Sequence, residues 1–367
     1  MLQYTTKKKK KEENLAVSLR VKNAMPKSSD SRRGGARKGP YDKPEARKSI
    51  FKYNTNIGQH ILKNPGIADM IVAKANLKPT DTVLEIGPGT GVLTTRILEQ
   101  AKAVKAVELD IRMGAELTKR VQGKPEQQKL EIIMGDFAKL DLPEALPPFD
   151  VCISNTPYQI SSIIISKLIS LPRPPRVSIL MVQREFGLRL CARPGDSLYS
   201  RLSVNTQFTS KVALIAKVGK NNFSPPPEVE SVVVRLEPRP EVPAANIQEL
   251  DGMLRICFSR KNKTLRASFI DSEELCQRNW ITWAAMDPEK VSEQDLQFFR
   301  DSEDTIDAHQ SVCGIPVSKA TLKSFIRSKI EHVLEKTELS EARSAKCDEN
   351  DFLRLLLAFR ENNIYFT

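Results

Sequence analysis

Residues 82–110 read TVLEIGPGTGVLTTRILEQAKAVKAVELD, and this run decides the fold class. Thr82–Ile86 is an apolar run of strand length. Glu85-Ile86-Gly87-Pro88-Gly89-Thr90-Gly91 then turns the chain, Val92–Gln100 has helical spacing, and Ala103–Leu109 returns as a second strand. A strand, a helix of about ten residues and another strand form the repeating unit of a parallel sheet. Glycine lets the chain turn tightly and lets a ligand approach the backbone. The spacing is GxGxG, whereas GxGxxG is the pattern that seats a pyrophosphate on a helix N-terminus. It favours a nucleoside ligand without a diphosphate, and S-adenosylmethionine is the foremost candidate. A strand-to-helix turn without a ligand is the other reading of the same glycines.

The alternation continues in both directions. Pro65–Leu77 carries Ile67, Met70, Ile71 and Ala75 at helical spacing. Downstream, Ile111–Val121 and Ser162–Leu171 read as helices, and Leu130–Met134, Val151–Ser154 and Ser178–Gln183 as strands. This pattern predicts an α/β domain with a mostly parallel sheet covered on both faces. Val212–Val218 and Ser231–Leu236, joined by a Pro-rich loop, would form an antiparallel hairpin at its edge. Composition changes after Pro238-Arg239-Pro240. The expected organisation is a disordered basic tail over 1–48, an α/β domain over 49–238 and a smaller helical C-terminal domain over 239–367. Helices are expected at Ile247–Phe258, Lys263–Phe269, 318–336 and 350–360.

Polar residues fall where these strands end. Glu108 closes the second strand, where a carboxylate can accept from both hydroxyls of a ribose. Asp136 follows the third, beside Phe137, and can accept from an adenine amine. Each acid by itself also reads as an exposed loop residue. Ser154-Asn155-Thr156-Pro157-Tyr158 follows the fourth strand. It offers the Asn155 side-chain oxygen, the Thr156 carbonyl and the aromatic face of Tyr158, the groups needed to hold a planar exocyclic amine. The plainer reading is a strand exit with Asn and Pro as turn residues. Upstream, Asn56-Ile57-Gly58-Gln59-His60-Ile61-Leu62 would close over the cofactor; a lone histidine such as His60 is also often structural.

The 367-residue chain carries a formal net charge of +12, unevenly spread. Residues 1–50 hold 15 Lys/Arg against 5 Asp/Glu, and residues 271–309 hold 11 acids against 3 bases, which leaves +10 for the rest. A basic tail and a basic body suggest a polyanionic partner, with an acidic appendage at 271–309; plain surface solvation is the competing account. Lys7 to Lys11 form an unbroken basic run of the kind that serves nuclear import or nucleic-acid binding. The acids among residues 1–48 argue against a mitochondrial leader. No apolar run approaches the roughly 20 residues of a membrane span. The six cysteines form no CxxC pair and read as reduced thiols. The three histidines have no metal-ligand spacing, so no metal is expected.

Taken together, Asn56–Leu62, Glu85–Gly91, Val107–Asp110, Gly135-Asp136, Asn155–Tyr158, Gln183-Arg184-Glu185 and Lys220-Asn221-Asn222-Phe223-Ser224-Pro225-Pro226-Pro227 resemble, in order, the motifs of the ribosomal RNA adenine-N6,N6-dimethyltransferase family, particularly its eukaryotic small-subunit branch. The resemblance spans about residues 50–270. It implies a Rossmann-like class I methyltransferase domain with S-adenosylmethionine bound by His60, Leu62, Gly87, Glu108, Asp136 and Asn155. Asn155, Thr156 and Tyr158 would position the target adenine, and Phe223 would stack on its other face; for an isolated Phe, a plug at the sheet edge is the alternative. One departure is Thr156, where the family usually carries Leu or Ile; as a small residue it is compatible with a pocket that tolerates a methylated amine. The implied reaction dimethylates N6 of two adjacent adenines in small-subunit rRNA during ribosome biogenesis. The implied partners are rRNA and pre-ribosomal particles and the expected state a monomer, in the nucleus and there the nucleolus, with the mitochondrion as alternative. Arg260–Arg266 and Lys323–Lys329 would track phosphates. The rival readings are a DNA adenine methyltransferase, or a non-catalytic assembly or mitochondrial transcription factor on the same fold.

Overall fold

The computed structural model describes residues 60–142, 144, 146–240, 246–302 and 310–366. The basic tail at 1–48, Asn56-Ile57-Gly58-Gln59 and residues 303–309 of the acidic segment lie outside the described residues. In chain order the first elements are β1 (Ile61–Leu62), α1 (Pro65–Lys74), β2 (Thr82–Ile86), α2 (Val92–Gln100), β3 (Ala103–Glu108), α3 (Ile111–Val121), β4 (Leu130–Met134) and β5 (Val151–Asn155). They are followed by α4 (Ser161–Ile169), β6 (Val177–Gln183), α5 (Arg184–Cys191), α6 (Arg201–Thr209), β7 (Ser210–Val218), β8 (Phe223–Ser224) and β9 (Ser231–Pro238). The helical part holds α7 (Ile247–Ser259), α8 (Leu265–Ile270), α9 (Glu273–Ala284), α10 (Glu293–Arg300), β10 (Gln310–Val312), β11 (Ile315–Val317), α11 (Lys319–Lys336) and α12 (Glu349–Glu361).

The main sheet has seven strands in the order β4-β3-β2-β5-β6-β9-β7. Strands β2 to β6 are mutually parallel, and β9 runs antiparallel to both β6 and β7. The edge hairpin read from the sequence is therefore present, with β9 inside and β7 outermost. The chain proceeds outward from β2 to β4 and then restarts on the other side of β2 with β5. Loops after β2 and β5 thus diverge to opposite faces and leave a crevice at the carboxyl ends of those strands. That crevice lies between Gly87 and Asn155, the residues at which the two strands end.

Alternation along each strand sends side chains to opposite faces, and here both faces are buried. Val83, Val104 and Ile153 pack with Ala68, Ile71 and Ile97 of α1 and α2. Leu84, Ile86 and Cys152 pack on the other face with Ile164 and Leu168 of α4. Helix α1 starts where Asn64 caps it and accepts from Gly66 N, with Pro65 at the first helical position.

A third core runs from Ala192 to Phe366 and contains Tyr199, Val204 and Phe208 as well as the C-terminal helices. Helices α5 and α6 were not separated from their surroundings by the sequence pattern. Helix α6 buries Ser203, Thr206, Gln207 and Thr209 along with its apolar residues, so it lacks the polar stripe that marks a surface helix. The expectation of an acidic appendage is corrected for its described part. Helix α9 sends Trp283 into the third core, where it meets Phe325 of α11 edge-on at 4.7 Å, and Phe299 of α10 lies 4.5 Å from the same ring. Asp295 is 6 % exposed and pairs with Lys329. Asp271, Asp287, Glu289, Glu293 and Asp301 are exposed, and the aromatic residues hold their helices to the body.

Candidate active site

His60, Leu62, Gly87, Glu108, Asp136 and Asn155, scattered over 95 positions, line one cavity at the crevice between β2 and β5. Gly87 has φ 68°, a conformation that costs side-chain-bearing residues energy, and a Cβ there would lie 3.6 Å from Pro157. Gly91 has φ 82°, and a Cβ would lie 2.5 Å from Leu117 Cδ1. The first glycine shapes the cavity wall and the second lets α2 start against α3.

Glu108 is 7 % exposed. Its Oε2 accepts from Gly89 N at 3.0 Å and its Oε1 from Asp110 N at 2.9 Å. Both oxygens are thereby oriented, and each keeps a lone pair for a ligand hydroxyl. Burial raises the Glu108 pKa above the ordinary carboxylate range, an effect opposed by those backbone N–H groups. Asp136 Oδ1 accepts from Ala138 N at 3.0 Å, which turns its carboxylate at the cavity edge. Leu109, directly after Glu108, lines the same cavity and is 54 % exposed, an apolar rim residue that the sequence reading passed over.

At the opposite wall, Asn155 Nδ2 donates to the His60 carbonyl at 2.9 Å. That bond fixes the amide at the cavity wall. His60 Nδ1 lies 3.0 Å from the Pro225 carbonyl, and its ring stacks on Tyr158 with centroids 5.8 Å apart. The Tyr158 hydroxyl is 2.7 Å from Ser231 Oγ, and burial raises the Tyr158 pKa. Ser231 and Pro225 were missed as site-supporting residues. Both stand about 70 residues beyond Tyr158; Pro225 lies within the Phe223 motif but its carbonyl was given no role, and no local pattern marks Ser231.

Two expectations change. The Thr156 side chain is 2 % exposed and donates to Ser154 Oγ, which in turn donates to the Ile86 carbonyl. Its hydroxyl is turned into the fold, so the Thr156 side chain does not shape the base pocket. Phe223 is 1 % exposed and packs in the core with Leu62 and Val218. Its backbone pairs with Leu62 as part of a small ribbon formed by β1 and β8. In this arrangement it is the plug, away from the cavity wall, because the ribbon turns its ring under the sheet.

Below the Gly-rich turn, Glu85 is 1 % exposed, and among the described residues neither its carboxyl oxygens nor Thr94 Oγ1 makes a well-formed hydrogen bond, though the Thr94 hydroxyl lies near the carboxyl. Burial pushes the Glu85 pKa up to about 8, opposed by the Thr94 hydroxyl and reinforced by the charge of Glu108. Among the basic segments, Arg260 pairs with Asp271, Arg266 with Glu331 and Lys329 with Asp295, while Lys261 Nζ donates to the carbonyls of Ser197 and Tyr199. Arg260 and Arg266 stay exposed within these pairs, Lys263 and Arg327 are exposed as well, and Lys323 is half-buried.

The comparisons agree with this geometry. The family model for ribosomal RNA adenine dimethylase matches residues 50–298. The chain is 53 % identical over 321 residues to a dimethyladenosine transferase of Saccharomyces cerevisiae, covering 87 % of this chain and 92 % of that protein. It is 48 % identical over 389 residues to one of Chaetomium thermophilum, covering 94 % and 100 % respectively. Among solved structures, a dimethyladenosine transferase from Plasmodium falciparum superposes with a TM-score of 0.68 at 39 % identity, covering 84 % of this chain and all of that one. The 23S rRNA methyltransferase ErmE, at 23 % identity and a TM-score of 0.53, covers 82 % of this chain and 99 % of its own, and shares the fold. With the family model spanning more than half of its length and relatives about 50 % identical over most of it, the chain belongs to the ribosomal RNA adenine dimethylase family.

Proposed function

We propose that this protein dimethylates N6 of two adjacent adenines in small-subunit rRNA, using S-adenosylmethionine in the cavity between β2 and β5. The observation that carries the reading is the Asn155 amide at the cavity wall, whose nitrogen is tied to the His60 carbonyl, which would leave its oxygen free to accept. The residues present fit the cofactor: Glu108 is oriented to accept from ribose hydroxyls, Asp136 from an adenine amine, and Gly87 lets a ligand lie close to the backbone. When bound, S-adenosylmethionine supplies an electrophilic methyl group.

The chain's own residues do the rest by position. An adenine amine is a weak nucleophile because its lone pair is delocalised into the ring. Acceptors at Asn155 Oδ1 and the Thr156 carbonyl would hold both amine hydrogens and favour a pyramidal nitrogen. They would also stabilise positive charge as it develops there. Tyr158 would take the extruded base by stacking, worth roughly 1–3 kcal/mol, against an unstacking cost of a few kcal/mol. Removing Asn155 Oδ1 would cost on the order of 10²–10³ in rate.

The helical part over 239–367 would serve as the rRNA-binding accessory domain, with Lys263 and Arg327 toward phosphate. The tail over 1–48 would add non-specific affinity. Shape dominates the recognition of folded RNA, so a pre-ribosomal particle is the expected substrate. The Lys7–Lys11 run supports nuclear, and nucleolar, residence, and a monomer is sufficient for this site. The test is incubation with labelled S-adenosylmethionine and pre-ribosomal particles, naked small-subunit rRNA or duplex DNA, followed by nucleoside analysis. N6,N6-Dimethyladenosine in the particle arm is expected. Label in duplex DNA, or none in any RNA arm, would overturn the proposal.

A further inference from the structure

Tyr158 follows Pro157 in a one-turn 3-10 segment, Tyr158–Ile160, and its ring could swing about its two side-chain bonds. Two contacts oppose that. The His60 ring stacks on it, and Ser231 Oγ lies 2.7 Å from its hydroxyl. Ser231 is fully buried and opens β9, where it pairs with Gln183 of β6 on one side and Val218 of β7 on the other. The residue before it is also tied, since Arg184 N donates to the Glu230 carbonyl. A hydroxyl carried by a strand with a ladder on each flank is a fixed point, and Tyr158 is the mobile member of the pair.

We infer that Ser231 is a positioning residue for methyl transfer: by holding the Tyr158 hydroxyl it sets the plane on which the target adenine stacks. The inference rests on Tyr158 being the base platform. Transfer needs the reacting atoms near contact distance with their orbitals in line, and small misplacements are costly. A stacked base follows its platform, so a ring free to rotate about its side-chain bonds would carry the amine away from the acceptors at Asn155 and Thr156. A hydrogen bond to an immobile strand removes that freedom. The two hydroxyls also satisfy one another in a region where water is scarce. An apolar Tyr158 tip against an apolar strand would pack as well, and would leave the ring orientation undetermined.

The test uses the full chain and an rRNA substrate that supports transfer, with Ser231→Ala, Tyr158→Phe, the double variant and Tyr158→Ala. Single-turnover rate, S-adenosylmethionine affinity and melting temperature are measured for each. Ser231→Ala and Tyr158→Phe should each slow transfer roughly three- to tenfold, the range of one hydrogen bond. The double variant should be no slower than either, because each single change breaks the same contact. Cofactor affinity should stay within twofold. Losses that multiply in the double variant, or wild-type rates in either single variant beside a defective Tyr158→Ala, overturn the inference and leave the platform reading standing. Normal transfer by Tyr158→Ala overturns both. Should Ser231→Ala fail to fold, Tyr158→Phe decides alone: a slowed rate supports the inference and a normal one overturns it.

Discussion

Two carboxyls near the Gly-rich turn differ in what surrounds them. Glu108 is held by the backbone N–H groups of Gly89 and Asp110 and opens toward the cavity. Glu108→Ala removes both ribose acceptors. Charge-assisted hydrogen bonds contribute roughly 1.5–3 kcal/mol each, so affinity for S-adenosylmethionine should fall at least tenfold with the fold intact. Calorimetry reads this directly, and binding within threefold of wild type would remove Glu108 from the site. Glu85 lies on the adjacent strand, buried, with only the Thr94 hydroxyl near its carboxyl among the described residues. Its pKa rises from 4.5 to about 8 on folding, so the folded chain binds that proton more tightly than the unfolded one. The sign follows: this group costs nothing below about 4.5, and stability declines as pH climbs from there to about 8, with a maximal slope of about 1.4 kcal/mol per pH unit. Glu85→Gln keeps the shape without the titration. Urea unfolding between pH 5 and 9 should show a flatter profile for the variant and greater stability than wild type at pH 8. Parallel profiles would mean that Glu85 finds a partner in solution.

At the scale of elements, the small ribbon of β1 and β8 joins the cavity to the Pro-rich loop. Ile61 and Leu62 pair with Ser224 and Phe223, and Lys63 N donates to the Asn222 carbonyl. The ribbon places His60 beside Asn155 and Tyr158, and the Phe223 ring anchors it in the core. Phe223→Ala should therefore cost about 3–5 kcal/mol of stability, the range for a buried aromatic side chain. Denaturant unfolding is the measurement. A stable variant that transfers slowly would instead restore a stacking role for the ring. Helix α2 depends on Gly91 in a similar way. Gly91→Ala places a methyl group 2.5 Å from Leu117 Cδ1 at φ 82° and should destabilise by roughly 1–3 kcal/mol.

Across the whole molecule, charge and core are distributed separately. Residues 1–50 contribute +10 of the net +12, while the apolar residues of the described chain gather into two layers on the sheet and one helical core. Deleting residues 1–48 should leave the melting temperature and the chemical step unchanged and reduce the steepness with which rRNA affinity falls with salt, because fewer cations displace counterions. Filter binding at several salt concentrations reads the slope. An unchanged slope would place the phosphate contacts wholly on the folded body. Trp283→Ala tests the acidic segment in turn. If α9 belongs to the helical core, the loss should be about 3–5 kcal/mol, and a negligible loss in urea unfolding would return α9 to the status of an appendage.

The parallel sheet was legible because buried strands and amphipathic helices alternate with two distinct periods between Thr82 and Gln183. The cavity residues were legible because parallel strands all deliver their carboxyl ends to one edge, so Gly87, Glu108, Asp136 and Asn155 converge whatever the details of packing. Local order along the chain also placed the edge hairpin. What lay beyond the sequence were contacts between distant segments. The side on which Phe223 buries its ring depends on its pairing with Leu62, and the direction of the Thr156 side chain depends on Ser154 and Ile86. The neutralisation of Arg260, Arg266 and Lys329 depends on acids that arrive from elsewhere in the fold. Periodicity reports which face of an element is buried. It carries no information on which neighbour fills that face, and for Phe223, Thr156 and Ser231 the neighbour decides the role.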